Sequence, residues 1–199
     1  MTYENEKNDK EIRILGAAQD LFSRYGLRKT SIEEIAKSAG LGKGTVYLYF
    51  KSKEEIFDAV VQRFSETMTE RLRTEIADVH TYSRKIEQYI ITRLSFMNEM
   101  IRTNGLTAEV MNEASCTPAI LKVRTKFGAQ HIALLKQIID EGVKAGEFET
   151  TDSEVSAMAI FVGMDGLEKP WSFPGRELPL EDKARALIEL YLVGLKKRT

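Results

Sequence analysis

Residues 30–56 read TSIEEIAKSAGLGKGTVYLYFKSKEEI. Apolar side chains recur at helical spacing over residues 31–39, and Gly40 follows where such a helix would stop. A second helix is predicted over residues 43–50, and a third begins at residue 53. A helix, a tight glycine turn and a short second helix are the elements of a helix-turn-helix motif.

The segment Thr45–Phe50 is the one place where residue preference alone favours a β-strand. It has no partner strand in the chain, so we interpret it as helix. At helical spacing, Val46, Tyr49 and Phe50 can face a core, whereas Gly44, Tyr47 and Leu48 point away, with Thr45 to the side. An outward Gly, Tyr and Leu make a poor solvent face and a good contact face.

This outward face suits the major groove of DNA. An eight-residue helix is about 12 Å long, which fits a groove about 12 Å wide. Gly44 would let the backbone approach DNA closely, and Thr45 and Tyr47 could contact thymine methyl groups or phosphates.

The charge distribution favours the same interpretation. The chain has 199 residues and a net charge of −1. Residues 24–53 contain seven basic and two acidic side chains, a net charge of +5, which leaves −6 for the remainder (−1 minus +5). A local basic segment on an acidic body is typical of a small anion-binding module attached to a larger domain.

Residues 21–56, from LFSRYG through the segment quoted above, resemble the DNA-binding domain of TetR-family transcriptional regulators. The resemblance covers about the first 60 residues, and the chain length and helical remainder also suit the family. It implies a dimer with two helix-turn-helix heads that binds a palindromic operator. It also implies a C-terminal domain that binds a small molecule and dimerises.

Residue by residue, the resemblance implies DNA contacts from two short helices and the start of a third. Thr30 or Ser31 would meet phosphate, as would Lys53. The contacts from the second helix of the motif would come from Lys43, Gly44, Thr45, Tyr47 and Tyr49. Many family members carry histidine where this chain has Leu48, which would exchange a polar DNA contact for an apolar one.

The whole chain is predicted to be all-α. Nine helices are expected, at 8–25, 31–39, 43–50, 53–78, 83–103, 106–114, 118–145, 152–169 and 180–197. Helix starts are marked by pairs with capping-box spacing: Ser31 with Glu34 (or Thr30 with Glu33), Ser52 with Glu55, and Thr151 with Glu154. We expect a helix-turn-helix domain at 1–52 and a helical effector-binding and dimerisation domain at 53–199.

Within the second domain, the candidate ligand-binding residues are Phe96, Met100 and His131, although each also suits an ordinary core. The helices 152–169 and 180–197 are candidates for a dimer interface. The second of them carries an apolar stripe formed by Ala184, Leu187, Ile188, Tyr191, Leu192 and Leu195. Either intrachain packing or a four-helix interface would explain it, and we favour the interface. The 169–179 loop contains Trp171, whose role stays open.

Composition and motifs argue against an enzyme. The glycines around Lys43 do not have the spacing of a phosphate loop or a dinucleotide fingerprint, and no nucleophile elbow occurs. Neither a metal nor a cofactor is predicted. A single cysteine, Cys116, allows no intrachain disulfide, and the longest apolar run is far short of a membrane span, so a cytoplasmic protein is expected.

Two functions remain open: a DNA-binding repressor released by a small, largely apolar ligand, or a DNA-binding regulator without a small-molecule effector. The second would be constitutive or controlled by a protein partner.

Overall fold

The computed structural model describes residues 3–104, 118–168 and 179–195. Those residues form eight α-helices and no β-strand. The helices are α1 (Tyr3–Lys29), α2 (Ile32–Ser38), α3 (Lys43–Tyr47), α4 (Lys53–Ala77), α5 (Tyr82–Asn104), α6 (Pro118–Lys144), α7 (Ser153–Glu168) and α8 (Leu180–Leu195). The all-α prediction is confirmed. The predicted helix 106–114, Cys116 and Trp171 lie outside the described residues.

α1 begins five residues earlier than predicted, and its regular part ends at Gly26, the residue that the sequence predicts as its stop. Gly26 has φ 80° and ψ 167°, so the chain kinks there before Leu27. This left-handed φ is open to glycine at little cost, whereas a side chain would be strained. The Thr30 hydroxyl donates to the Gly26 carbonyl at 2.8 Å and fixes the kink.

The turn between α2 and α3 is a Schellman motif. Gly40 has φ 63°, and the Leu41 N–H donates to the Ala36 carbonyl at 2.9 Å while the Gly40 N–H donates to the Lys37 carbonyl. Arg13 of α1 donates to the Ala39 carbonyl at 2.6 Å. These bonds satisfy the carbonyls at the end of α2 and tie the turn to α1.

A single apolar core holds the first three helices and the start of α4 together. Ile14 and Ala18 of α1, Ile35 of α2 and Val46 of α3 are all fully buried in it. Phe22 and Phe57 meet edge to face, with ring centroids 5.4 Å apart. The orientation of α3 is therefore set by the burial of Val46 in this shared core.

Side-chain caps explain where three helices start. At α2, Ser31 and Glu34 form a reciprocal capping box, which selects that frame over Thr30 with Glu33. At α4, the Glu55 N–H donates to Ser52 Oγ as predicted. At α7 the prediction that Thr151 caps the helix is wrong. The cap is Asp152, whose carboxylate accepts from two N–H groups of the first turn and suits the positive end of the helix dipole.

The chain divides into two compact units. One holds the described residues up to Ser65 together with those between Met100 and Val123, and the other holds 66–99 and the described residues from 124 onward. α4 thus contributes to both units. The predicted division at 52/53 stays a prediction. None of the helices in the described residues is long and apolar enough to cross a membrane.

Candidate functional site

α3 presents the faces that helical spacing predicts. Val46 is fully buried, Phe50 is buried beside it, and Tyr49 is half-buried against the same core. On the opposite side Tyr47 is 47% exposed and Leu48 is 83% exposed. Gly44, at the start of the same helix, is also exposed. The outward surface of α3 therefore consists of bare backbone at Gly44, the phenol ring of Tyr47 and the Leu48 side chain.

α3 is shorter than the eight-residue helix that was predicted. It ends at Tyr47, and Leu48 and Tyr49 continue it as a tightened turn in which the Leu48 N–H donates to the Thr45 carbonyl at 3.1 Å. Five residues of α-helix span roughly 7.5 Å. The tighter turn accompanies the inward position of Phe50, whose N–H donates to the Val46 carbonyl at 3.0 Å.

Lys43 is the one charged residue of α3. Its ammonium pairs with the Glu33 carboxylate of α2 and lies 5.8 Å from the centroid of the Tyr47 ring. The hydrogen bond between Lys43 and Glu33 lowers the pKa of the Glu33 carboxyl and raises the pKa of the Lys43 ammonium. Both groups stay charged at neutral pH, and the pair is open to solvent.

The three predicted phosphate contacts differ in accessibility. Thr30 is only 2% exposed and its hydroxyl is committed to the Gly26 carbonyl, so the expectation that it meets phosphate does not fit its position. Ser31 is half-buried and its hydroxyl takes part in the capping box. Lys53 is half-buried at the first position of α4. Other basic side chains of the segment are exposed: Arg24, Arg28, Lys29, Lys37 and Lys51.

In the second unit, His131 lies at the centre of a buried polar cluster. Tyr89 Oη is 3.0 Å from His131 Nδ1, and Thr69 Oγ1 is 3.4 Å from His131 Nε2. Arg93 donates to the Tyr89 hydroxyl at 3.4 Å, and its guanidinium lies 4.5 Å from the Phe161 ring centroid. His131, Tyr89 and Arg93 are 4%, 0% and 5% exposed.

The other two predicted ligand residues have different surroundings. Phe96 is buried, and the Arg71 guanidinium lies 5.9 Å from its ring centroid. Met100 is half-buried and belongs to the first compact unit. The sequence analysis named His131 as a candidate but not Tyr89 or Arg93, which lie beside it in this cluster. A signal was present, because Arg93 falls seven residues after Ile86 on the apolar stripe of α5, where a charged side chain is uncommon.

The predicted dimer stripe on α8 mostly packs within the chain. Leu187, Leu192 and Leu195 are buried, and Tyr191 donates to the Ala159 carbonyl of α7 at 2.9 Å. The burial of Leu187, Leu192 and Leu195 within the chain does not fit a contact with a second subunit, whereas Ala184, Ile188 and Tyr191 are half-buried and their place in an interface stays a prediction. Exposed apolar side chains lie elsewhere on α7 and α8, at Val155, Met158, Val162, Leu190 and Val193.

Metal binding has no structural support in residues 3–104, 118–168 and 179–195, where histidine, cysteine, aspartate and glutamate form no group of three that could hold an ion.

Comparison with known proteins agrees with the helix-turn-helix geometry. Residues 14–60 match the family described as bacterial regulatory proteins, tetR family. The HTH-type transcriptional regulator UidR of Escherichia coli K12 is 30% identical over 136 residues, which cover 65% of this chain and 67% of UidR. The relatives are transcriptional regulators rather than enzymes.

Solved structures share the fold over nearly the whole chain. The regulator FadR from Bacillus subtilis, in complex with stearoyl-CoA, has a TM-score of 0.75 at 22% identity, covering 92% of this chain and 98% of FadR. A regulator from Saccharomonospora viridis, in complex with choline, has a TM-score of 0.79 at 19% identity, covering 94% and 98%. With these likenesses, the chain belongs to the TetR family of DNA-binding transcriptional regulators.

Proposed function

We propose that this regulator is a homodimeric repressor that binds a palindromic operator and is released from it by a small, largely apolar ligand. The observation that carries the DNA-binding part is the outward face of α3, where Gly44, Tyr47 and Leu48 are exposed while Val46 anchors the helix in the core. A rigidly mounted short helix with an exposed aromatic and apolar face suits insertion into a major groove.

The proposed contacts divide into base and phosphate contacts. Gly44 admits the DNA backbone or a base edge, and Thr45, Tyr47, Leu48 and Tyr49 contact the groove, with Leu48 offering an apolar surface to a thymine methyl group. Lys43 and Lys53 contact phosphate, and Ser31 takes the phosphate contact in place of the buried Thr30. To contact phosphate, the Lys43 ammonium must either leave the Glu33 carboxylate or bind the carboxylate and the phosphate at the same time.

The dimer is proposed to form through α7 and α8, as expected, but through a different face of α8. Val155, Met158 and Val162 recur at i, i+3 and i+7 on α7, and Leu190 and Val193 share a face of α8. These side chains are 46–72% exposed in the single chain. Exposed apolar residues at helical spacing on two adjacent helices suit a self-complementary, two-fold interface.

Release by ligand is proposed as a population shift. Two heads can bind together only when their α3 helices match adjacent major grooves, nominally about 34–36 Å apart. A ligand that binds the DNA-incompetent arrangement more tightly lowers operator affinity, whereas one that binds both equally shifts nothing. α4 contributes to both compact units and is the proposed transmitter. FadR and the S. viridis regulator, each solved with a small molecule, support a ligand-responsive body.

The DNA contact is tested with a matched pair of tyrosine variants, Tyr47→Ala and Tyr25→Ala. Tyr25 is 54% exposed in the same unit but lies on α1. With a labelled operator and fluorescence anisotropy, we expect Tyr47→Ala to weaken specific binding at least tenfold while Tyr25→Ala stays within threefold. Equal affinities for the wild type and Tyr47→Ala would contradict the proposal.

The dimer is tested by sedimentation equilibrium. Leu190→Glu places a charge at the proposed interface, and Ile91→Glu places one on α5, where Ile91 is 42% exposed. We expect the first variant to sediment as a monomer and the second as a dimer. A dimeric Leu190→Glu would reject this interface.

A further inference from the structure

Two contacts of different kinds fix the position of α3. One is apolar: Val46 is fully buried in the core of the first unit. The other is polar and comes from Arg13 of α1, whose Nη2 atom donates to the Ala39 carbonyl at 2.6 Å and to the Gly40 carbonyl at 3.3 Å. Both carbonyls belong to the turn that leads from α2 into α3. Arg13 therefore holds the chain just before α3 begins.

The guanidinium fits this turn closely because Gly40 carries no side chain. A Cβ atom at Gly40 would lie 2.9 Å from Arg13 Nη2, which is closer than ordinary van der Waals contact. The carbonyl end of a helix also carries partial negative charge, which favours a cation there. The turn thus presents two carbonyls and bare backbone to Arg13.

Little chain separates this polar contact from α3. Leu41 alone lies between Gly40 and Gly42, the N-cap of α3. The Gly42 carbonyl accepts from the N–H groups of Thr45 and Val46, at 2.9 and 3.3 Å, and so starts the helix. A displacement of the Gly40 carbonyl is therefore passed to the first turn of α3 across one residue.

α3 is too short to fix its own orientation. Val46 is the buried residue within it and Phe50 follows it, so the apolar contacts lie toward its C-terminal end. Its N-terminal end, which includes the exposed Gly44, depends on the preceding turn for its position. A binding surface must be held within about 0.5 Å and 10–20° of its productive geometry. Arg13 supplies the constraint at this end.

We propose that Arg13 is a positioning residue for DNA recognition, which sets the angle of α3 in the major groove by holding the Ala39 and Gly40 carbonyls. This inference rests on the proposed function, since it takes α3 as the helix in the groove. Contacts with base edges need a defined angle, whereas non-specific binding depends on phosphate charge. Arg13 therefore contributes to specific binding and not to non-specific binding.

A direct contact between Arg13 and a phosphate is the alternative role. The Asp9 carboxylate lies 3.9 Å from Arg13 Nη1, while Nη2 donates to the two carbonyls. Partners on the same chain thus lie beside both terminal nitrogens, which favours the positioning role. The Arg13 side chain is 44% exposed, so its replacement leaves no buried cavity and the fold should persist.

Two duplexes separate these roles. One carries the operator recovered by selection from the genome that encodes the protein, and the other has the same bases in scrambled order. Fluorescence anisotropy with the full-length protein measures both affinities over a series of salt concentrations. We expect Arg13→Gln to weaken operator binding at least about tenfold, the size of one lost base contact, and to leave binding of the scrambled duplex unchanged.

The opposite results are equally distinct. Loss of a phosphate contact would weaken binding to both duplexes and reduce the slope of log affinity against log salt concentration by about 0.9. Equal losses on the two duplexes, or no loss on either, would overturn the proposal.

Two further variants complete the test. Lys7→Gln removes one positive charge at an exposed position of the same helix and should leave the ratio of the two affinities unchanged. Arg13→Lys keeps the charge but has a single nitrogen for the carbonyls and Asp9, so this ratio should fall by about threefold or more. If Arg13→Gln fails to fold, which thermal unfolding will show, Arg13→Lys decides by the same ratio. A wild-type ratio in the deciding variant overturns the proposal.

Failure of this inference differs visibly from failure of the proposed function. If the wild type binds both duplexes equally, the proposed function fails and the role of Arg13 fails with it. If Tyr47→Ala loses discrimination between the duplexes while Arg13→Gln keeps it, recognition by α3 stands and only the role of Arg13 falls.

Discussion

Gly44→Ala separates the stability of α3 from its fit to DNA. A methyl group added at Gly44 meets no atom within 4 Å in the free protein, and the backbone there is not in the left-handed region. Alanine also favours helix over glycine by roughly 0.5–1 kcal/mol. The substitution should therefore raise the free energy of unfolding by up to about 1 kcal/mol, a rise in Tm of about 2–4 °C for a chain of this size.

The same methyl group should damage DNA binding. Gly44 is exposed on the surface that we assign to the groove, so a methyl group there must displace DNA or tilt α3. Overpacking a tight contact costs roughly 1–3 kcal/mol, which corresponds to a loss of about 5- to 150-fold in operator affinity. The two effects have opposite signs, so a folding defect cannot imitate the expected result.

Gly16→Ala is the matched control for this experiment. Gly16 lies in α1, in the same unit, and an added methyl group there also meets no atom within 4 Å. The Gly16→Ala variant should have a higher free energy of unfolding and an unchanged operator affinity. Thermal unfolding and operator anisotropy on both variants complete the test. Wild-type affinity in Gly44→Ala would refute the close approach of backbone to DNA at this position.

Three further predictions concern packing, pH and charge. Gly142→Ala would place a methyl group in steric clash with one edge of the buried Phe148 ring, so it should lower the free energy of unfolding by roughly 1–3 kcal/mol in urea titrations. Because the pKa of His131 is about 4 in the folded chain against 6.5 in the unfolded chain, unfolded protein binds the extra proton as pH falls below 6.5. Between pH 7 and pH 5 the free energy of unfolding of the wild type should therefore fall by about 2 kcal/mol more than that of His131→Gln. The same pH dependence of unfolding in both proteins would contradict this. Glu33→Gln releases Lys43 and removes a negative charge, so operator affinity should rise about three- to tenfold at low salt and converge with the wild type at high salt.

The sequence predicted the first unit well because local signals there agree with one another. The Ser31 cap, the Gly40 turn and the spacing of Val46 and Phe50 all specify the same helix-turn-helix, and the structure confirms each. The predicted length of α3 was wrong because the conformation of its last turn depends on how the Phe50 side chain packs in the core. The burial of Thr30 could not be inferred, since it follows from the kink at Gly26.

The second unit was harder to predict because its faces depend on contacts between helices far apart in sequence. The stripe of Leu187, Leu192 and Leu195 on α8 fits either a partner subunit or its own unit, and periodicity does not distinguish them. Likewise, Tyr89 and His131 are 42 residues apart, and only the packing of α5 against α6 brings them within hydrogen-bond distance.

Specific recognition of a palindrome by α3 is the central claim, and selection from the genome tests it most directly. Purified wild-type protein and Tyr47→Ala are incubated at moderate salt with fragments of the genome that encodes the protein, and the retained DNA is sequenced. We predict that the wild type alone enriches a palindromic sequence, whose neighbouring genes then nominate the ligand. Enrichment of the same sequence by Tyr47→Ala, or retention of unselected fragments by both proteins, would contradict the account.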